Sequence, residues 1–142
     1  MKLKDKFAAF RRLTFAERRL ILEATIILAA SRIVVLTVPF RFIARWVSRM
    51  PENGACDEAL RGQVRQAITI AAKNVPWNAV CLPQAMTAKV MLARRGCGSS
   101  FHLGAGFDEK GKFVAHAWLV ANGDIVVGAA GTRGLSPLAK FG

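Results

Sequence analysis

The pattern of apolar residues changes once along this chain of 142 residues, after Gly98. Before that point the apolar positions repeat with helical spacing, and after it they form short runs typical of β-strands. These runs are Ser100 to Phe107, Lys112 to Val120 and Ile125 to Val127. Residues 108–111 and the pair Asn122-Gly123 separate the runs as hairpin turns. Helices first and strands last predict an α+β fold in which three antiparallel strands pack on helices.

The first two predicted helices follow from a cap and a proline. Thr14 and Glu17 have the spacing of a capping box, so the first helix begins after Thr14 and runs to about Thr37. Pro39 interrupts or ends that helix, and a shorter helix follows before the break at residues 51–54.

Two further helices are predicted ahead of the strands. Asp57 is a suitable cap for a third helix that extends through Ala72. The fourth helix starts at or next to Cys81, since Pro83 is tolerated in a first turn, and Gly96 closes its end.

The length and the charge predict one basic domain. A chain of 142 residues supports a single core, with a helical part over residues 14–73 and a catalytic core over residues 74–142. The count of 21 Lys+Arg against 9 Asp+Glu gives a net charge of +12, which favours an acidic partner. Nucleic acid is not favoured as that partner, because no basic run is interleaved with stacking aromatic residues.

The segment from Leu20 to Phe40 is almost wholly apolar and raises the question of a membrane span. Glu23 lies near one end of it and Arg32 near its middle. An arginine at the middle of a bilayer costs at least about 2.5 kcal/mol. A buried or partner-facing helix is therefore favoured, and peripheral membrane contact is left open as an alternative.

The three cysteines, Cys56, Cys81 and Cys97, form no CxxC pair. An odd number of cysteines without a secretory signal predicts a reducing, cytoplasmic setting without a disulfide framework. The cysteines and the two histidines, His102 and His116, also lack the paired close spacing of a zinc site. Nothing in the sequence requires a metal or an organic cofactor.

Cys81 and His116 have the relation of a cysteine nucleophile and its general base. Cys81 stands at a predicted helix start, where the helix N-terminus favours the reactive thiolate, and His116 follows 35 residues later on a predicted strand. Core packing is the alternative, because cysteine is often buried and His116 alternates with Val114 and Trp118 as a buried histidine would. The two residues in this order favour a catalytic role.

The motifs around Cys81 and His116 resemble one family. The segments PWNAVCLPQAMTAKVMLARRG, HLGAGF and FVAHAWLVANGDIVVG resemble the leader peptidase of lasso peptide biosynthesis, the protease half of the split B protein. The resemblance covers residues 70–130, and residues 14–50 are similar to that family's N-terminal helices in a less specific way. It implies a papain-like or transglutaminase-like core with Cys81 and His116 as the catalytic residues.

The same resemblance implies a function and partners. The family's enzyme is a cysteine protease that removes the leader from a precursor peptide, which frees the core peptide's amine for ring closure by a separate ATP-dependent lasso cyclase. A small leader-recognising protein presents the substrate in that family. A split protease of this size is expected to need that partner, and the basic surface and the apolar N-terminal helices are candidate docking faces for it.

The sequence departs from the family at the third catalytic position. The family's aspartate falls twelve residues after the histidine, where this chain has Gly128. Asp124 is the nearest acid, but a two-residue turn before it pairs it with Ala121. Ala121 is five residues from His116, or about 16 Å along a strand, and it points to the opposite face.

Several alternatives follow from the missing acid. Asn78, Asn74, a backbone carbonyl or a water could orient the imidazole, or the site could be a dyad. The chain could also be a catalytically inactive module that binds the precursor and the cyclase. A third alternative is a membrane-surface or interaction protein. In that case the helix at residues 20–40 makes the functional contact, and Cys81 only contributes to core packing.

Overall fold

The computed structural model describes residues 4–5, 8, 11–50, 54–55, 57–75, 81–107, 109–128 and, as backbone, 136–141. From Phe15 onward this part of the chain forms helices followed by strands, which confirms the α+β prediction. The helices are α1 (Phe15–Thr37), α2 (Phe40–Ser48), α3 (Glu58–Asn74) and α4 (Cys81–Ala93). The strands are β1 (Ser100–Phe107), β2 (Phe113–Ala121), β3 (Asp124–Val127) and β4 (Ser136–Phe141).

The predicted capping box at the start of α1 is present. The Thr14 hydroxyl accepts a hydrogen bond from the Glu17 amide at 3.2 Å, and the Glu17 carboxylate accepts one from the Thr14 amide at 2.9 Å. The helix ends at Thr37, because Val38 is extended ahead of Pro39. Both boundaries of α1 are therefore as predicted.

One side of α1 belongs to the core. Ala24 and Leu28 are fully buried on that side, where α1 packs against α3 and α4. Glu23 forms ion pairs with Arg95 at 2.6 Å and with Arg94 at 2.9 Å, beyond the end of α4. The hydrogen bond from Arg95 is the main cause that lowers the pKa of Glu23 below its usual value. The acidic residue that interrupts the apolar segment thus ties α1 to α4.

The third helix is slightly longer than predicted. The carboxylate of Asp57 accepts a hydrogen bond from the amide of Ala59 at 3.3 Å, as expected of a cap. The helix continues past Ala72 to Asn74, whose side-chain amide donates to the carbonyl of Ile70 at 2.7 Å. A side chain that binds its own helix in this way adds a hydrogen bond to the last turn.

The sheet has four antiparallel strands in the order β3-β2-β1-β4. The three predicted strands are all present, and a fourth strand that was not predicted, β4, lies on the far side of β1. The sequence SPLAKF does not suggest a strand because Pro137 removes an amide donor. An edge strand tolerates proline, since one of its sides has no partner strand.

The β2–β3 hairpin turn is the predicted one. Asn122 and Gly123 have φ values of 54° and 85°, as a two-residue turn of this type requires. Ala121 and Asp124 are directly paired across it. The backbone of Asp124 is therefore opposite Ala121, which lies five residues along β2 from His116, as the sequence predicted.

The expectation of a chain without disulfides was wrong at Cys97, which is disulfide-bonded. Cys81 is a free thiol, and the remaining cysteine, Cys56, lies outside the described residues. The Cys97 sulfur is 3.9 Å from the carbonyl oxygen of Ala55. A Cβ added to Gly54 would lie 3.1 Å from the amide nitrogen of Gly98. The loop before α3 and the turn after α4 thus approach closely, which cysteine spacing alone cannot indicate.

Candidate active site

Cys81 is the first residue of α4, as the sequence predicted. This helix is apolar on nearly all sides, and Ala85, Met86 and Leu92 are among its buried residues. A helix that is apolar all round must be surrounded by other elements, and α4 packs between α1, α3 and the sheet. The Cys81 side chain remains partly exposed at the end of this buried helix.

The thiol of Cys81 lies against strand β2. Its sulfur accepts a hydrogen bond from the backbone amide of Ala117 at 3.4 Å. Ala117 directly follows His116 in the chain, so the thiol contacts the backbone of β2 one residue from the residue that carries the imidazole. The start of α4 and the His116 segment of β2 are therefore in contact, and the catalytic roles of Cys81 and His116 stay a prediction.

His116 is held by a backbone carbonyl. Its Nε2 atom lies 2.7 Å from the carbonyl oxygen of Gly128. A carbonyl only accepts hydrogen bonds, so Nε2 must carry the proton, and in the neutral ring Nδ1 then has the free lone pair. A histidine held in this tautomer can accept a proton at Nδ1, as a general base must.

Gly128, twelve residues after His116, makes its contact with the imidazole through its backbone. Its φ is +91°, a conformation that residues with a side chain rarely adopt. A Cβ at this position would lie 2.8 Å from the carbonyl oxygen of Ala117, 2.8 Å from Cβ of Trp118 and 3.1 Å from Nε2 of His116. The imidazole therefore has a neutral backbone acceptor, and the geometry at this position requires glycine.

The other candidates for orienting the imidazole have different positions. Asn74 donates its side-chain amide to Ile70 within its own helix. Asp124 pairs with Ala121 at the hairpin end. Asn78 lies outside the described residues. Of the alternatives that the sequence left open, the backbone carbonyl is the one observed.

Trp118 lies beside His116 on the same face of the sheet, and His102 lies beside Trp118. Trp118 stacks on His116 with a centroid distance of 6.3 Å and an interplanar angle of 19°. His102 is paired with Trp118 across the β1–β2 ladder and stacks on the indole with a centroid distance of 5.6 Å. The residue opposite His116 is Gly104, which places no side chain beside the imidazole. Trp118 thus forms one wall of the site.

Arg65 is a residue that the sequence analysis did not select. Its guanidinium donates hydrogen bonds to the carbonyl oxygens of Val126 at 2.8 Å and Ile125 at 2.7 Å. These carbonyls belong to β3, an edge strand, and they stand two and three residues before Gly128. Arg65 therefore ties α3 to the segment that carries the Gly128 carbonyl. No local sequence signal reports a contact over some sixty residues.

Within the described part of the chain, no three histidine, cysteine, aspartate or glutamate side chains come together as a metal site would require.

A thiol at the start of a buried helix, packed against an antiparallel strand that carries a histidine, is typical of papain-like and transglutaminase-like cysteine enzymes. The chain belongs to the transglutaminase-like superfamily, whose family model matches residues 25–140. That superfamily includes cysteine peptidases. No curated protein and no solved structure matches the chain significantly.

Proposed function

We propose that this protein is a cysteine peptidase that removes the leader from a lasso precursor peptide, together with a leader-recognising partner protein. The observation that carries the proposal is the contact of the Cys81 thiol with the backbone amide that follows His116, whose Nε2 lies 2.7 Å from the carbonyl oxygen of Gly128. The motif resemblance over residues 70–130 supports the choice of substrate, and the superfamily membership supports the class of enzyme.

The reaction begins with transfer of the Cys81 thiol proton to Nδ1 of His116. The thiolate attacks the carbonyl carbon of the scissile bond and forms a tetrahedral intermediate. When this intermediate collapses, the carbon–nitrogen bond breaks and the imidazolium gives its proton to the departing core amine. A water molecule, deprotonated by His116, then attacks the thioester and releases the leader with a free carboxylate.

Backbone amides at the start of α4 are the best candidates to stabilise the developing oxyanion. The first amides of a helix have no partner within it, and the positive end of the helix dipole adds to their effect. Pro83 has no amide hydrogen, so the amides of Cys81 and Leu82 are the donors we assign to this role. The amide of Ala117 already donates a hydrogen bond to the sulfur.

The Gly128 carbonyl fixes the imidazole without supplying a negative charge. In a carboxylate triad the acid both orients the ring and stabilises the imidazolium that forms. Here the orienting function is retained and the charge is absent. We therefore expect a slower enzyme than a member of the family with the aspartate.

The partners and the location belong to the same proposal. The precursor leader is the substrate, a leader-recognising protein presents it, and an ATP-dependent lasso cyclase receives the freed core. A cytoplasmic location stays a prediction.

The test is cleavage of the cognate precursor, followed by mass spectrometry, with the leader-recognising protein present. We expect the wild type to cut at the leader–core junction and both Cys81→Ala and His116→Ala to be inactive. His102→Ala is the matched control, because His102 also stacks on Trp118 but is not placed beside the thiol. Equal cleavage by Cys81→Ala would overturn the proposal.

A second candidate function follows from Gly128. If the neutral carbonyl does not support catalysis, the protein is a binding module that holds the precursor for the cyclase. In that case the wild type binds the partner-bound leader but leaves it intact. Cleavage by the reconstituted pair excludes this candidate.

A further inference from the structure

The outward side of α1 carries a row of exposed apolar side chains. We call these residues the apolar stripe: Phe15, Leu22, Ile26, Ile33 and Leu36. Each is at least 56% exposed, and successive members are 7, 4, 7 and 3 residues apart, which places them on one side of a helix. A contiguous exposed patch of this kind marks an interaction surface.

The other side of α1 holds the helix within the protein. The helix is long and apolar enough to cross a membrane by length and composition. Its inward side, with Ala24 and Leu28, is nevertheless buried in the core, and Glu23 is ion-paired with Arg95 and Arg94. A helix that crossed a bilayer would have to give up these contacts. The stripe is therefore a surface feature of the folded protein.

The next helix presents charge together with aromatic rings. Arg41 and Arg45 are four residues apart on the exposed side of α2, and Arg49 follows directly after its end. Phe42 and Trp46 flank them and are 45% and 48% exposed. The inward side of the same helix is buried, so this short helix is amphipathic with a basic outer face.

The charged residues of the two helices are mostly positive. Residues 11–50 contain eight arginines and two glutamates. Glu17 is engaged in the capping box and Glu23 in its ion pairs with Arg94 and Arg95. The two helices thus present exposed apolar side chains together with an excess of positive charge, which favours an occupant that is both apolar and anionic.

We propose that the apolar stripe of α1 and the outer face of α2 bind the surface of an anionic phospholipid bilayer. The stripe enters the boundary between head groups and acyl chains, with α1 lying along the membrane surface. The arginines contact lipid phosphates, and Trp46 occupies the interfacial region that tryptophan favours. A bilayer supplies apolar and anionic groups along the whole of α1, about 35 Å at 1.5 Å per residue.

This inference concerns where the protein works and goes beyond the proposed peptidase activity. The two are tested separately, since precursor cleavage is measured in solution without lipid.

The experiment is co-sedimentation of the full chain with vesicles of phosphatidylglycerol and phosphatidylcholine, compared with vesicles of phosphatidylcholine alone. We expect binding to the anionic vesicles only, and weaker binding as salt increases. The triple variant Arg41→Gln/Arg45→Gln/Arg49→Gln should lose most of this binding. Circular dichroism checks that each variant is folded.

The stripe is tested with Leu22→Gln/Ile26→Gln, which should weaken binding at least about tenfold. The matched control is Phe107→Gln/Phe113→Gln, because these two phenylalanines are 71% and 61% exposed on the β1–β2 hairpin, away from α1. If the wild type does not bind to anionic vesicles, the proposal is overturned, and a partner protein that covers the apolar stripe is favoured instead. An equal loss in the hairpin control also overturns it.

Discussion

The imidazole Nε2 of His116 lies 2.7 Å from the carbonyl oxygen of Gly128. This contact joins a residue of β2 to the residue that directly follows β3, across the hairpin that turns after Ala121. Because the acceptor is a backbone atom, the contact depends on the path of the chain after β3. Substitutions that move this path should therefore act on catalysis even though they remove no side-chain partner of His116.

Substitution of Gly128 by alanine is expected to disable the site. The added Cβ would lie 2.8 Å from the Ala117 carbonyl oxygen and 3.1 Å from Nε2 of His116, so the backbone must shift and carry the carbonyl away. We expect kcat for precursor cleavage to fall about 10²- to 10⁴-fold.

Gly123→Ala is the matched control for that substitution. Gly123 also has a positive φ, of 85°, but a Cβ added to it would meet nothing within 4 Å, so this variant carries the conformational strain without the clash. Its activity should stay near that of the wild type. Equal loss of activity in both variants would show that strain in the hairpin, and not the Gly128 contact, sets the rate.

Restoring the family's acid by Gly128→Asp should not restore a triad. The aspartate needs the same Cβ that meets Ala117 and Trp118 at 2.8 Å, so its carboxylate cannot reach His116 from the present backbone. We expect a slower enzyme than the wild type in the cleavage assay. A faster one would show that the backbone adapts and that charge is what the natural site lacks.

Arg65→Met should reduce turnover without removing anything from the site itself. It deletes two hydrogen bonds to β3, at Val126 and Ile125, and so loosens the segment that presents Gly128. We expect kcat to fall about 10- to 100-fold with KM little changed, because only positioning is lost. Lys73→Met, an exposed cation on the same helix, is the control and should keep its turnover. A change in KM alone would contradict a positioning role for Arg65.

Glu23→Gln should destabilise the fold and reduce its sensitivity to acid. The pKa of Glu23 is lowered chiefly by the hydrogen bond from Arg95, so its contribution to stability is present above the usual value of 4.5 and is lost as the pH falls through the lowered folded-state pKa. Denaturant unfolding near neutral pH should show a loss of about 1 to 3 kcal/mol. Glu58→Gln, at an exposed position, is the control. A stability difference that persisted at a pH below both pKa values would contradict this origin.

Thiol labelling should distinguish the free thiol of Cys81 from the disulfide-bonded Cys97. Iodoacetamide should modify Cys81 in the native protein, and in denaturant it should reach the buried Cys97 only after reduction, because Cys97 is disulfide-bonded. Peptide mapping by mass spectrometry identifies the labelled residue. Labelling of Cys97 without reduction would contradict the disulfide and would support the reducing setting that the cysteine pattern predicted.

Features built from residues close in the chain were predictable from the sequence. The capping box joins Thr14 and Glu17 over three residues, and the turn at Asn122-Gly123 is set by two adjacent residues. Such signals depend on local hydrogen bonds and on φ preferences, which the sequence carries directly. The motif around Cys81 also indicated its place at a helix start.

The parts that were missed depend on contacts between distant segments. Strand β4 is defined by its pairing with β1, and Arg65 contacts carbonyls that are 60 and 61 residues away. The Gly128 carbonyl was one of several open alternatives, because a backbone acceptor has no residue type of its own. Only the folded chain shows which acceptor faces the imidazole.

The most direct test of the peptidase mechanism is detection of the covalent intermediate on Cys81. The reaction with the precursor and the leader-recognising protein is quenched with acid during turnover, and the intact protein is weighed and mapped by mass spectrometry. We predict an adduct with the mass of the leader less one water, attached to Cys81 and absent from Cys81→Ala. Cleaved precursor with no adduct, and with Cys81→Ala equally active, would contradict the mechanism.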